Sequence, residues 1–189
     1  MEVIIRPEAD AAADLVARII AKELRANPQL VLGFATGRTM ESVYAKLART
    51  HQEAKLDFSL CRTFNLDEYV GLAPDDPHSY RYYMNEHLFR QVEIDLRNTY
   101  LPNGQAADLD AECARYEEAI RKCGGIDLQL LGIGRAGHIG FNEPLSALQS
   151  RTRVKALAPT TIAQNAALFG GPDKVPRRAI TMGVGTILA

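Results

Sequence analysis

Cysteine is scarce in this 189-residue chain: Cys61, Cys113 and Cys123 are the only three, an odd number without CxxC spacing. That excludes a disulfide framework and a zinc knuckle and fits a reducing, cytoplasmic setting. No run of about 18 apolar residues is present to span a bilayer. The N-terminus carries Glu2 and Asp10 without the apolar core of a secretory signal. The formal net charge is only -1, so no global field recommends a nucleic acid or an anionic membrane as partner. Of the four histidines, His51, His78, His87 and His138, no two have close metal-ligand spacing, so no metal is expected. Internal repeats and low-complexity linkers are also missing. What remains is 47% hydrophobic and 24% charged, the balance of one soluble globular domain with a real core.

Strand and helix patterns alternate along the chain. Val3-Ile4-Ile5 is a short β-type run, and Pro7 suits the first turn of a helix. Ala12, Leu15, Val16, Ile19, Ile20 and Leu24 recur at helical spacing between Ala9 and Ala26. Further strands are expected at 30–34, 58–64, 126–130, 154–157 and 179–182. Helices are expected from the turn Thr36-Gly37-Arg38-Thr39 to about Ala48, and over 78–92, 111–121 and 160–168. A long polar loop fills 65–76. Strands separated by helices imply right-handed βαβ crossovers. The expected fold is α/β: a doubly wound, mostly parallel sheet in three Rossmann-like layers and one domain.

Three turns should lie along the carboxyl edge of that sheet, where open α/β folds bind ligands. In Gly33-Phe34-Ala35-Thr36-Gly37-Arg38-Thr39, a glycine turn opening a helix offers backbone N–H groups to an anion. It lacks the Walker lysine and GxGxxG spacing, which disfavours a nucleotide. A plain helix cap by Thr39 explains the same spacing. Asp67 and Glu68 in Phe64-Asn65-Leu66-Asp67-Glu68-Tyr69-Val70-Gly71 suit a base that moves a proton between carbons; a solvated loop with a capping Asp is the alternative. The third turn, Gly132-Ile133-Gly134-Arg135-Ala136-Gly137-His138-Ile139-Gly140-Phe141-Asn142-Glu143-Pro144, holds four glycines, then Glu143 five residues after His138. His138 is a candidate base near neutral pH, with Glu143 orienting it or sharing the proton.

At these residues the sequence resembles the glucosamine-6-phosphate deaminase (isomerase) family. The likeness is specific in Phe64–Leu72, in Gly137–Pro144 and in Ser150-Arg151-Thr152-Arg153-Val154-Lys155, and continues into Thr181–Thr186. It covers nearly the whole chain but about the first three-quarters of a family member. Residues 1–189 are therefore expected to form one isomerase-like domain, incomplete at its C-terminus. The resemblance implies conversion of glucosamine 6-phosphate and water to fructose 6-phosphate and ammonia, with no cofactor or metal. It assigns ring opening to His138 assisted by Glu143, and C2-to-C1 proton transfer to Asp67. The glycine-threonine turn, Gly37, Arg38 and Thr39 here, would hold the 6-phosphate. In allosteric members the positions of Ser146, Arg153 and Lys155 bind an N-acetylated sugar phosphate, N-acetylglucosamine 6-phosphate, at an interface of a homo-oligomer.

Four positions depart from the family pattern: Ala136 stands where an Asp or Asn supports the histidine, Arg38 for a small residue, Met40 for a proline, and Ala167 for a phosphate-binding arginine. Two other readings stay open beside the deaminase. One is a non-catalytic sugar-phosphate-binding paralogue. The other is a 6-phosphogluconolactonase-like hydrolase, against which Phe141-Asn142-Glu143-Pro144 speaks. Galactosamine 6-phosphate is a second possible substrate.

Overall fold

The computed structural model of the chain describes residues 2–134 and 137–189. The first long helix, α1 (Ala9–Ala26), buries Ala13, Ala17, Ile20, Ala21 and Leu24 along one stripe. It leads into β1 (Val31–Phe34), buried along its whole length, and then α2 (Arg38–Ala54), which covers the same core with Met40, Val43, Tyr44 and Leu47. Next come β2 (Arg62–Asn65), β3 (Asp67–Tyr69) and α3 (Tyr80–Met84), which runs on into a wider turn at Asn85–Phe89. The chain continues with β4 (Thr99–Tyr100), α4 (Leu109–Lys122), β5 (Leu128–Gln129), β6 (Arg153–Ala156), α5 (Pro159–Phe169), β7 (Arg178–Thr181) and α6 (Val184–Ile187).

Two sheets result. The main one is parallel, in the order β4-β2-β1-β5. The chain moves outward from β1 through β2 to β4, then crosses back to the far side of β1 as β5. The direction reverses between β1 and β5, so the loops leaving those two strands part and open a crevice at their carboxyl ends. Gly33 lets this pair close tightly, because a Cβ there would fall 2.0 Å from the Gln129 side chain.

The second sheet is small and antiparallel, β3-β7-β6. Its register puts Asp67 opposite Thr181 and Thr181 opposite Arg153, so these residues share one row and one face. Tyr69, Ala179 and Lys155 form the next row on that face. A separate apolar cluster including Tyr69, Phe141, Leu157, Ile162, Phe169 and Ala179 supports it. Leu66 joins the two sheets: its N–H donates to Phe34 O at 3.0 Å, and Met182 N–H donates to its carbonyl at 2.7 Å.

Several expectations need correction. Val3-Ile4-Ile5 forms no strand, and all three side chains are exposed, with no strand among the described residues paired to them. The loop expected at 65–76 contains β3, because a strand of three residues is too short to show a period. The strands expected at 154–157 and 179–182 pair antiparallel in the small sheet rather than extending the parallel one. The 78–92 helix narrows to Tyr80–Met84 before its hydrogen bonding loosens, and α2 continues past Ala48 to Ala54.

The core reaches the site through Tyr116 of α4, fully buried, whose hydroxyl donates to Asn65 O at 2.7 Å and Tyr100 O at 3.2 Å. Tyr116→Phe leaves the Asn65 carbonyl, two residues before Asp67, without this donor. It should cost about 1–3 kcal/mol of stability. Thermal unfolding followed by circular dichroism checks this; the midpoint should fall by several degrees, and an unchanged midpoint would contradict this role for the hydroxyl.

Candidate functional site

A cleft of about 350 Å³ lies at the carboxyl ends of β1 and β5. Gly37, Arg38 and Thr39 line it together with Asp67, Tyr80, Gly134, His138 and Gly140. Thr161, Gln164 and Asn165 of α5 complete it. Two of the three proton-handling candidates, Asp67 and His138, thus share one cavity with the anion turn, and Glu143 stands behind His138.

Asp67 opens β3 and is buried. Neighbouring strand residues project to opposite faces, so Asp67 faces the cleft and Glu68 turns away beneath α3. Glu68 is buried as well, and its carboxylate accepts from Tyr69 N, Tyr80 N and Arg81 N at 2.8, 3.0 and 2.9 Å. A solvated loop with a capping Asp is therefore ruled out. Burial, and secondarily the charge of Glu68, push the Asp67 carboxyl up to about 8. Burial also raises Glu68, while its three N–H donors act the other way. A carboxyl poised near neutral pH is what a proton-shuttling base needs.

The glycine-rich turn places the histidine. Gly137 N–H donates to Gly134 O at 2.9 Å, and Gly134 N–H donates to His138 O at 2.8 Å. The imidazole lies directly on Gly134, where a Cβ would fall 2.2 Å from Nε2. Nδ1 is 3.8 Å from Glu143 Oε2, within ion-pair reach when the ring is protonated and too long for a hydrogen bond. The other Glu143 oxygen accepts from the Thr161 hydroxyl. Asn142 fixes the turn to the end of β7 by donating to Ile139 O and Met182 O at 3.0 and 2.8 Å. Gly140, at φ 57°, passes so close to the small sheet that a Cβ would lie 3.0 Å from both Asp67 Oδ2 and Thr181 Oγ1. Ala136, with Arg135, lies outside the described residues.

At the anion turn, α2 starts at Arg38 and its cap is Gly37, with no side-chain cap, so Thr39 is not the capping residue. The first backbone N–H groups of a helix have no intrahelical acceptor. Here they begin at the end of the cleft lined by Gly37, Arg38 and Thr39, and Arg38 is exposed. Among the described lining residues it carries the only fixed positive charge. Ala167 does not line the cleft; α5 presents Gln164 and Asn165 instead.

Ser146, Arg153 and Lys155 lie apart from the cleft. The Ser146 hydroxyl donates to Glu143 O at 2.8 Å and is 3.3 Å from an Arg153 guanidinium nitrogen, and Lys155 stands two residues along the same strand face. Sequence reasoning missed Tyr80, Thr161 and Thr181. The Tyr80-Arg81-Tyr82-Tyr83 aromatics were a visible signal for the first; nothing marks a lone threonine as a partner of Glu143 or of the Phe141 N–H, which Thr181 Oγ1 accepts at 3.1 Å.

The chain is 53% identical over 172 residues to a glucosamine-6-phosphate deaminase of Geobacillus sp. (strain WCH70), covering 91% of this chain and 68% of that protein. It is 50% identical over 188 residues to the one of Cellvibrio japonicus (strain Ueda107), covering 100% and 72%. A solved monomeric glucosamine-6-phosphate deaminase superposes with a TM-score of 0.98 at 46% identity, over 100% of this chain and 78% of that one. The 6-phosphogluconolactonase of Thermotoga maritima, at 22% identity and a TM-score of 0.70 over 96% and 76%, shares the fold. The family described as glucosamine-6-phosphate isomerases/6-phosphogluconolactonase matches residues 7–183. The chain belongs to that family.

Proposed function

We propose that this protein is a glucosamine-6-phosphate deaminase, converting glucosamine 6-phosphate and water to fructose 6-phosphate and ammonia in the cytoplasm. The observation that carries this reading is the buried Asp67 lining the same cleft as His138 and the anion turn. The N-terminus of α2 with Arg38 takes the 6-phosphate and sets the direction of the sugar. His138 faces the ring and, with Glu143 behind it, moves the proton that opens the pyranose. Thr161 holds the far oxygen of Glu143, leaving the near one to the imidazole. Asp67 then takes the C2 proton of the open chain and returns it at C1; water attacks the resulting ketimine at C2, and ammonia leaves. The isomerising steps are proton movements beside a carbonyl or imine, and the last adds water across the C=N bond and releases the nitrogen as ammonia.

Arg38 as the single fixed cation among the described lining residues, with α5 contributing Gln164 and Asn165, supports a second reading: a sugar-phosphate binder without turnover. Ser146, Arg153 and Lys155 are proposed to take an anionic effector such as N-acetylglucosamine 6-phosphate at an interface between copies of this chain. Added effector should then lower KM and increase sedimentation, and Arg153→Ala should remove both responses.

Asp67→Asn should reduce ammonia release from glucosamine 6-phosphate by about 10²–10⁴-fold. Its binding of fructose 6-phosphate, followed by calorimetry, should persist. Tight binding by the unaltered chain with no ammonia released would select the binder; hydrolysis of 6-phosphogluconolactone would select the lactonase.

The raised carboxyl of Asp67 gives a pH profile. The base works deprotonated, so kcat/KM should climb as pH rises toward about 8 and level off above it. Stability should run the other way. Between about 4, the pKa of an unfolded Asp, and about 8, the native state holds a proton that the unfolded chain has released, so this group's contribution falls with rising pH. Asp67→Asn should flatten that part of the pH dependence of Tm.

A further inference from the structure

Glu68 carries no proton of the reaction: it is buried, faces away from the cleft and does not line it. Its partners show a different use. The first backbone N–H groups of α3 have no acceptor within the helix, yet each has one in this fold. Ser79 N donates to Asp76 O at 2.9 Å, Tyr80 N and Arg81 N donate to the two Glu68 oxygens, and Tyr82 N donates to Ser79 Oγ at 3.0 Å. Two of the four thus go to a strand residue covalently joined to Asp67. Arg81 does not draw Glu68 elsewhere, because its guanidinium donates to Thr99 Oγ1 and Thr99 O at 2.7 and 2.9 Å. One turn along α3, the Tyr83 hydroxyl donates to Gly37 O at 2.8 Å. Gly37 is the residue that caps α2 at the anion turn.

We propose that Glu68 and Tyr83 are positioning residues that hold the anion turn at a fixed distance from Asp67. Glu68 locks the start of α3 to β3, and Tyr83 carries that lock across to Gly37. The turn follows β1 and the base opens β3; the Leu66 N–H bond to Phe34 O ties the root of the turn to the base. This second bridge fixes its far end at Gly37, setting the spacing between the phosphate end and the carbon end of the substrate. The proposal rests on the anion-turn reading above.

The test uses the full chain with Tyr83→Phe, which deletes one hydroxyl from a partly exposed ring, and Glu68→Gln, which keeps the shape but replaces one acceptor by a donor. Amide hydrogen exchange over 36–40 should accelerate about threefold or more in both. Affinity for fructose 6-phosphate should fall about threefold to tenfold in both, the effect of one lost hydrogen bond, with KM raised and kcat within twofold in Tyr83→Phe. Glu68→Gln also removes a charge beside Asp67, so the kcat criterion holds for Tyr83→Phe only. Unchanged exchange and affinity in folded Tyr83→Phe overturn the proposal, as does a fall in kcat at constant KM, which marks a general loss of active protein. If Glu68→Gln does not fold, Tyr83→Phe alone decides. Failure of the unaltered chain to bind fructose 6-phosphate would sink the deaminase reading, while the exchange result still decides this one.

Discussion

A carboxylate has been placed where no ion pair meets it. Among the described residues no cation lies within ion-pair distance of Asp67, and the neighbouring Glu68 adds repulsion. Leaving a carboxyl in such a place opposes folding at neutral pH, and the fold tolerates it because everything around it is fixed independently. Leu66 is bonded to both sheets, β3 is paired to the fully buried end of β7, and Glu68 is satisfied by backbone N–H groups. The same burial that weakens the fold gives Asp67 its proton affinity. Removing the surrounding packing would relax the carboxyl to an ordinary acid, whose carboxylate is a weaker base.

The histidine side of the cleft follows another rule. Asp67 is held by strand pairing, whereas His138 is held by the absence of side chains. Gly134 gives the ring a flat seat, and Gly140 lets the backbone press against Asp67 and Thr181. The two halves meet at van der Waals distance without a covalent path shorter than 70 residues. Their relative position therefore depends on β7, whose Thr181 touches both.

The α/β class and the long helices were legible because amphipathic periods over 14–18 residues are strong signals. The crevice was legible from glycine turns after apolar runs. The small sheet was not. β3 has three residues and β6 exposes part of each side chain, so neither shows clean alternation. Its β3–β7 pairing joins residues 110 or more positions apart, which no local pattern announces. Val3-Ile4-Ile5 shows the converse: β propensity without a pairing partner in the described fold gives no strand. Asp67, His138 and Glu143 could be chosen from residue type and turn context, but the roles of Thr161, Thr181 and Tyr83 exist only once distant segments meet.

Asp67, Thr181 and Arg153 occupy one ladder row, and a single loop, 137–150, lies over it, with Gly140 above the first two and Ser146 beside the third. Two strand spacings, about 10 Å, separate the ends of that row. The loop length and the strand register are thus a matched pair. Adding or deleting one residue between Glu143 and Arg153 would either tear the loop from Gly140 or slip β6 by one position, and a slip turns Arg153 and Lys155 to the opposite face. Point substitutions in this loop are a local matter, whereas changes of its length are tolerated only with compensation at both ends.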